Sequence, residues 1–190
     1  MPFDSTLGGS ESTSYDSVET ADAVFANSLN NAAWTALTTE QKQVALMAST
    51  TALEALTYLG DRCSPSKDDA DKPQALQWPR SGGVCKGITS SCSSIPLPIE
   101  QACAFLALDL HNNPNSLIPI GPGPVPEQGP VQTQKLGEMS VTYFNPADQG
   151  SKVDPGAPIV LQKWPYLVDL MSCWLSGTYG SSKLLLRVRS

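Results

Sequence analysis

Apolar side chains recur first at helical spacing. Val18, Ala21, Phe25 and Leu29 fall on one face of a segment that Ser17 can cap and that Asn30-Asn31 should end. Trp34 and Leu37 lie in the connection that follows. Thr38-Thr39-Glu40-Gln41 then has the form of a capping box, in which Thr38 and Gln41 satisfy each other's backbone donors. The pattern predicts a second helix over residues 39–59, closed by Gly60 and about 30 Å long. Val44, Leu46, Met47, Leu53, Leu56 and Leu59, with interleaved alanines, make it apolar nearly all round, as suits the centre of a core. Pro98 suits the first turn of a third helix, in which Ile99, Ala102, Cys103, Leu106 and Leu110 form a stripe until Asn112-Asn113-Pro114 stops it. A last helix is expected over about 165–175, where Tyr166, Leu167, Leu170, Met171 and Trp174 repeat helically before Gly177.

The period changes between the third helix and the last. Residues 114–130 are rich in Pro and Gly, most densely over 120–126, which excludes a helix or a central strand. Residues 131–136 and 139–144 alternate around Gly137-Glu138, the pattern of a two-residue hairpin with glycine first. Residues 145–158 are again irregular. The expected fold is therefore mainly α: a compact bundle of about four helices with a β-hairpin and extended-loop excursion. The polar residues 1–14 read as a flexible N-terminal arm, 15–182 as one helical domain with its insertion at about 114–158, and 183–190 as an extended, strand-like tail.

Composition narrows the functions. A chain of 190 residues can bury one real core. Its formal net charge of -6 gives a field that repels phosphate and anionic lipid, so nucleic-acid binding is not favoured as its main role. No apolar run reaches the length of a membrane span and no secretory signal is visible, so no membrane partner is expected. Cys63, Cys85, Cys92, Cys103 and Cys173 are odd in number and irregularly spaced, which argues against a disulfide framework, and their spacing does not suit zinc. Asp68, Asp69 and Asp71 lack the spacing of a calcium loop and read as a solvated charged segment. His111, the lone histidine, accompanies no nucleophile motif, and the phosphate-loop, dinucleotide and zinc-protease patterns are absent. No catalytic residue, metal or cofactor is assigned, and the chain does not read as an enzyme.

The most distinctive stretch is Gln74-Ala75-Leu76-Gln77-Trp78-Pro79-Arg80-Ser81-Gly82-Gly83. Pro79 fixes its own φ and holds Trp78 extended, while Gly82 and Gly83 permit φ values closed to other residues. This Trp-Pro-Arg-(Ser)-Gly turn resembles that of the head-to-tail adaptor, or head-completion, proteins of tailed bacteriophages, many of which carry the description "DnaT-like single-stranded DNA-binding protein". The likeness extends to Ser17-Val18-Glu19-Thr20-Ala21-Asp22-Ala23, to Trp34-Thr35-Ala36-Leu37-Thr38, to Ile95-Pro96 before the third helix and to Lys135-Leu136-Gly137 before the alternating strand. It covers roughly residues 14–120 and, more loosely, 131 to the C-terminus. The Pro-rich stretch is longer than the family pattern requires. The resemblance implies a structural subunit that is made in the host cytoplasm and resides in the virion neck. It implies a ring, usually dodecameric, below the portal, which extends the channel through which genomic DNA passes without specific binding and docks the next neck or tail protein.

Trp34, Trp78, Pro79 and Gly82 are accordingly read as structural anchors. Trp78 suits a core anchor better than a base-stacking platform, because single-strand readers need a cationic groove beside their aromatics. Arg80 is open between contact with a neighbouring subunit, pairing with a local carboxylate and capping a helix. Lys183, Leu184, Leu186, Arg187, Val188 and Arg189 are read as a portal contact, the alternating tail adding a strand to another chain's sheet edge, against the simpler reading that it packs on the chain's own hairpin. The alternative function is a replication-type single-stranded DNA-binding module. The acidic balance favours the channel, since a wall past which DNA slides benefits from weak or repulsive charge.

Overall fold

The computed structural model describes residues 2–64, 73–116, 133–136, 139–142 and 158–176. Ser17 caps α1 (Val18–Phe25), its Oγ accepting from the Thr20 amide at 3.1 Å. Helix α1 ends at Phe25 and not at Asn30-Asn31, because the chain turns there to bring in α2 (Asn31–Thr35). The turn leaves Leu29 fully exposed and off the apolar face expected for it. It also places Trp34 in the core, stacked on Phe25 with ring centroids 4.8 Å apart.

Thr38 and Gln41 form the capping box that opens α3 (Thr39–Leu53), with bonds of 2.9 and 3.3 Å. The helix stops well short of Leu59, although the apolar pattern continues. The chain turns at its end: the Leu56 amide and Tyr58 Oη both donate to the Leu53 carbonyl at 3.0 Å, and Gln77 Nε2 donates to the carbonyls of Glu54 and Leu56, just beyond the helix, at 2.6 and 2.8 Å. Nor is α3 buried all round, since its apolar residues Val44 and Ala48 face outward. The central position belongs to α4 (Leu97–Asn112), which packs against both α1 and α3 and buries Ile99, Ala102, Cys103, Leu106 and Leu110. Two helices end the described chain, α5 (Ile159–Lys163), which the sequence pattern does not announce, and α6 (Pro165–Met171), which also packs on α4. Beyond α6 the chain turns, and Leu175 bridges antiparallel to Tyr58.

Short antiparallel ribbons complete the described fold. β1 (Asp61–Arg62) pairs with β2 (Arg80–Ser81), and β3 (Val84–Cys85) with β4 (Ile88–Thr89) through Lys86-Gly87, both at positive φ. Positive φ at both central residues is the requirement of a type I′ hairpin turn. β5 (Thr133–Leu136) pairs with β6 (Met139–Thr142), Leu136 opposite Met139, the register of the two-residue connection read from the alternation. Residues 2–14, read as an arm, follow a closed loop: the amides of Thr13 and Ser14 donate to the Asp4 carbonyl at 2.7 and 3.0 Å, and Ala75 N–H reaches Gly9 O at 2.9 Å.

The expectation of unpaired cysteines is overturned. Cys63 is bonded to Cys92 and Cys85 to Cys173, with only Cys103 left as a buried thiol. The partners stand 29 and 88 residues apart, a distance at which spacing rules carry no information about pairing. Both bonds tie the loop-and-ribbon layer of residues 61–64 and 73–96 to itself or to the turn after α6. Neither cross-links α1, α3 and α4.

Candidate functional site

The Trp-Pro-Arg turn lies where the ribbon layer meets the helices. Trp78, only 1% exposed, meets Tyr58 and Trp174 edge to face at 5.5 and 6.0 Å, and the Trp78–Pro79 peptide is cis. Offset and T-shaped aromatic pairs add to the area they bury, so this trio pins the turn, the segment after α3 and the end of α6 to one point. Around it, amide side chains satisfy backbone groups that would otherwise be stranded. Gln74 accepts from the Ser64 amide at 3.0 Å and donates to the carbonyls of Leu76 and Pro79. Glu54 accepts the Gln77 amide at 2.8 Å and also the hydroxyl of Tyr15.

Arg80 is spent inside the chain. Its Nε donates to Leu59 O at 3.1 Å, Nη2 to Gly60 O at 2.5 Å and Nη1 to Gln77 O at 3.5 Å. All three acceptors are backbone carbonyls outside the helices, so Arg80 ties the turn to the segment after α3 and does not cap a helix end. Gly60 and Gly82 share a φ of +77°, but a Cβ on Gly60 would lie 2.3 Å from Ser81 O, whereas one on Gly82 would meet nothing. Close approach thus needs glycine at 60, and at 82 only the φ does.

Trp34 anchors a second cluster. Its Nε1 donates to Asp22 Oδ1 at 2.6 Å, Lys42 Nζ reaches the same oxygen at 2.8 Å, and the Lys42 ammonium stands 5.4 Å from the Trp34 ring centroid. Partial burial works to raise the Asp22 carboxyl, but the hydrogen bonds from Lys42 and Trp34 prevail and hold it below its ordinary value.

A third polar cluster went unread in the sequence. Asp16, directly before the Ser17 cap, is buried, and neither carboxylate oxygen has a hydrogen-bond partner. Burial first, and then the charge of Glu100, push its carboxyl up to about 8. Burial likewise raises Glu100, and it pushes the Cys103 thiol up to about 12. Ser49 Oγ lies 2.7 Å from Cys103 O and 3.1 Å from its Sγ, and Thr50 Oγ1 accepts from the Tyr15 amide at 3.1 Å. An Asp beside a capping Ser reads as an exposed turn residue, so no local signal marks its burial.

The structure brings Trp78, Pro79, Arg80 and Gly82 together and places Trp34 apart from them, across the helices. Lys183, Leu184, Leu186, Arg187, Val188 and Arg189 lie outside the described residues, as do Asp68, Asp69, Asp71 and the densest Pro-Gly run. Among the described residues, no group of His, Cys, Asp and Glu is placed to hold a metal ion, and no helix is long and apolar enough to cross a membrane.

A family model described as "Putative DnaT-like ssDNA binding protein" matches residues 3–183. No curated protein and no solved structure matches the chain.

Proposed function

The chain belongs to this DnaT-like family, and from that premise we propose that it is a structural head-to-tail adaptor of a tailed phage. In this reading α1, α3, α4 and α6 form a four-helix bundle centred on α4, and copies assemble in a ring, dodecameric by the resemblance, below the portal. The ring extends the DNA channel and offers its far face to the next neck or tail protein. The observation that carries the reading is the fate of the aromatic and cationic side chains. No Trp, Tyr or Phe with a described side chain is exposed. Of the cations with described side chains, Lys42 is tied to Asp22, Arg62 Nη2 to Gln74 O at 2.7 Å and Arg80 to three carbonyls, while Lys86, in the β3–β4 turn, and Lys163, at the end of α5, are exposed. A single-strand reader needs aromatic faces open beside a cationic groove, and the net charge of -6 works against phosphate as well.

The second reading is single-stranded DNA binding, which the family's description favours. Two measurements separate them. Electrophoretic mobility titration at moderate salt should give micromolar affinity at best for single- or double-stranded DNA; tight, strongly salt-dependent binding would move the assignment to the second reading. Electron microscopy of the protein mixed with its cognate portal should show an added ring, and its absence from portal particles at saturating concentration would sink the adaptor.

A further inference from the structure

We propose that the Cys63–Cys92 disulfide is a thiol-exchange site, a reducible clasp on the surface, while Cys85–Cys173 is a permanent structural bond. The two differ in access. Cys92 is exposed, within a run, residues 91–94, that is exposed throughout, and Cys63 is half-buried. Cys85, 7% exposed, belongs to the hydrophobic core together with Trp174, the neighbour of its partner Cys173.

Access decides the chemistry, because exchange begins with in-line attack of a thiolate on one sulfur and expulsion of the other. At the clasp, the thiolate of a low-molecular-weight thiol attacks Cys92 Sγ. The bond between Cys92 and Cys63 breaks, and the electron pair leaves on Cys63 Sγ, which takes up a proton from water. The thiolate of a second thiol then attacks the small-molecule sulfur of the mixed disulfide, the bond to Cys92 Sγ breaks, Cys92 leaves as a thiolate and takes up a proton, and the two small thiols depart as their oxidised dimer, having supplied the two electrons. At the inner bond neither direction works as well. Attack on Cys85 is hindered by its burial, and attack on Cys173, half-buried in the wall of a narrower cleft of about 200 Å³ that the two share, must expel the Cys85 thiolate toward an apolar interior that solvates it poorly. Cys103 cannot act as an internal attacking group, since it is buried and its thiol is pushed up to about 12 by that burial.

The clasp also has something to hold. Cys63 and Cys92 line a cleft of about 610 Å³ whose remaining walls include Gly8, Gly9, Gln74 and Pro79. The Cys63 side stays anchored without the bond, through its amide to Pro79 O at 3.3 Å, the Ser64 amide to Gln74 and the β1–β2 pairing. On the other side, the exposed run around Cys92 has a 2.9 Å contact between Ser91 Oγ and Ser93 Oγ that stays within the run itself. Opening the clasp therefore releases the 91–94 loop and widens the cleft, while the helices stay as they are. This inference does not depend on the adaptor reading.

The test is a reductant titration of the oxidised full-length protein with dithiothreitol. Alkylation and peptide mass spectrometry identify the freed thiols, and far-UV circular dichroism follows the helices. Cys63 and Cys92 should become labelled at least about tenfold faster than Cys85 and Cys173, with helicity unchanged. The paired substitution Cys63→Ser with Cys92→Ser should keep the Cys85–Cys173 bond and speed subtilisin cleavage within residues 91–94. Labelling of Cys85 and Cys173 first or at the same rate, or labelling of any pair only after helicity is lost, overturns the proposal. So does a non-reduced peptide map without the Cys63–Cys92 cross-link. If the paired variant does not fold, the clasp is structural and the proposal also falls.

Discussion

The helical core and the loop-and-ribbon layer of residues 61–64 and 73–96 are held by different means. In the core, α4 meets α1, α3 and α6 through fully buried side chains such as Phe25, Leu46, Leu106 and Met171. No covalent link among α1, α3 and α4 is needed, because burial of apolar area scales with the surface the helices share. The layer has ribbons of two residues per strand, too short to stand alone. It relies on two disulfides, on the amide side chains of Gln74 and Gln77 and on Arg80, with Trp78 as its apolar foothold. A small region without a core of its own takes its order from cross-links and satisfied carbonyls. The two regions should therefore answer to different perturbations, the core to pH and packing and the layer to reductant.

The largest effect is expected at Asp16, a buried carboxyl whose oxygens have no hydrogen-bond partner. Asp16 keeps its proton in the folded chain up to about 8, whereas unfolded it ionises near the ordinary aspartate value of 3.8. The unfolded state thus binds fewer protons between those values. Stability is full below about pH 4, falls as pH rises toward 8 and is level above it, with a ceiling of roughly 6 kcal/mol for the whole shift. Glu100, raised in the same direction by burial, adds to the slope. Asp16→Asn should flatten the stability-against-pH curve and raise the midpoint of urea denaturation at pH 8; an unchanged slope would show that the carboxyl is hydrated.

Trp78→Ala comes next, at about 3 to 5 kcal/mol, because it removes the ring where both regions meet. The denaturation midpoint should fall for far-UV and aromatic signals together, and an unchanged midpoint would place the indole outside the core. The paired change Cys85→Ser with Cys173→Ser should cost about 2 to 4 kcal/mol. Here the two signals should separate, the aromatic environment of Trp78 and Trp174 being lost before the helices. Coincident loss would mean that core and layer are one cooperative unit. The smallest effects test the backbone of the layer: Gly60→Ala should cost about 1 to 3 kcal/mol and Gly82→Ala about 1 kcal/mol or less, at the same φ, because only the first drives a Cβ into Ser81 O. Equal melting temperatures for these two variants would remove close approach as the reason for Gly60.

The sequence by itself determined what depends on neighbours three or four residues apart. The Ser17 cap, the Thr38–Gln41 box and Pro98 in the first turn of α4 are local bonds and local sterics, so they follow from residue order. The pairing of Leu136 with Met139 is equally local, set by a two-residue connection. The Trp-Pro-Arg turn could be recognised as a fixed feature for the same reason, and the burial of Trp78 suits an anchor. Only the tertiary structure decided where helices end and which distant groups meet. Helix α3 stops at Leu53, whose carbonyl Tyr58 takes while Gln77 takes those of Glu54 and Leu56 just beyond, and α1 stops at Phe25 so that Trp34 can stack on it. The disulfide partners, the carbonyl targets of Arg80 and the burial of Asp16 are likewise products of packing across tens of residues. Those contacts form once loop-closure entropy has been overcome by the core as a whole, and local pattern holds no record of them.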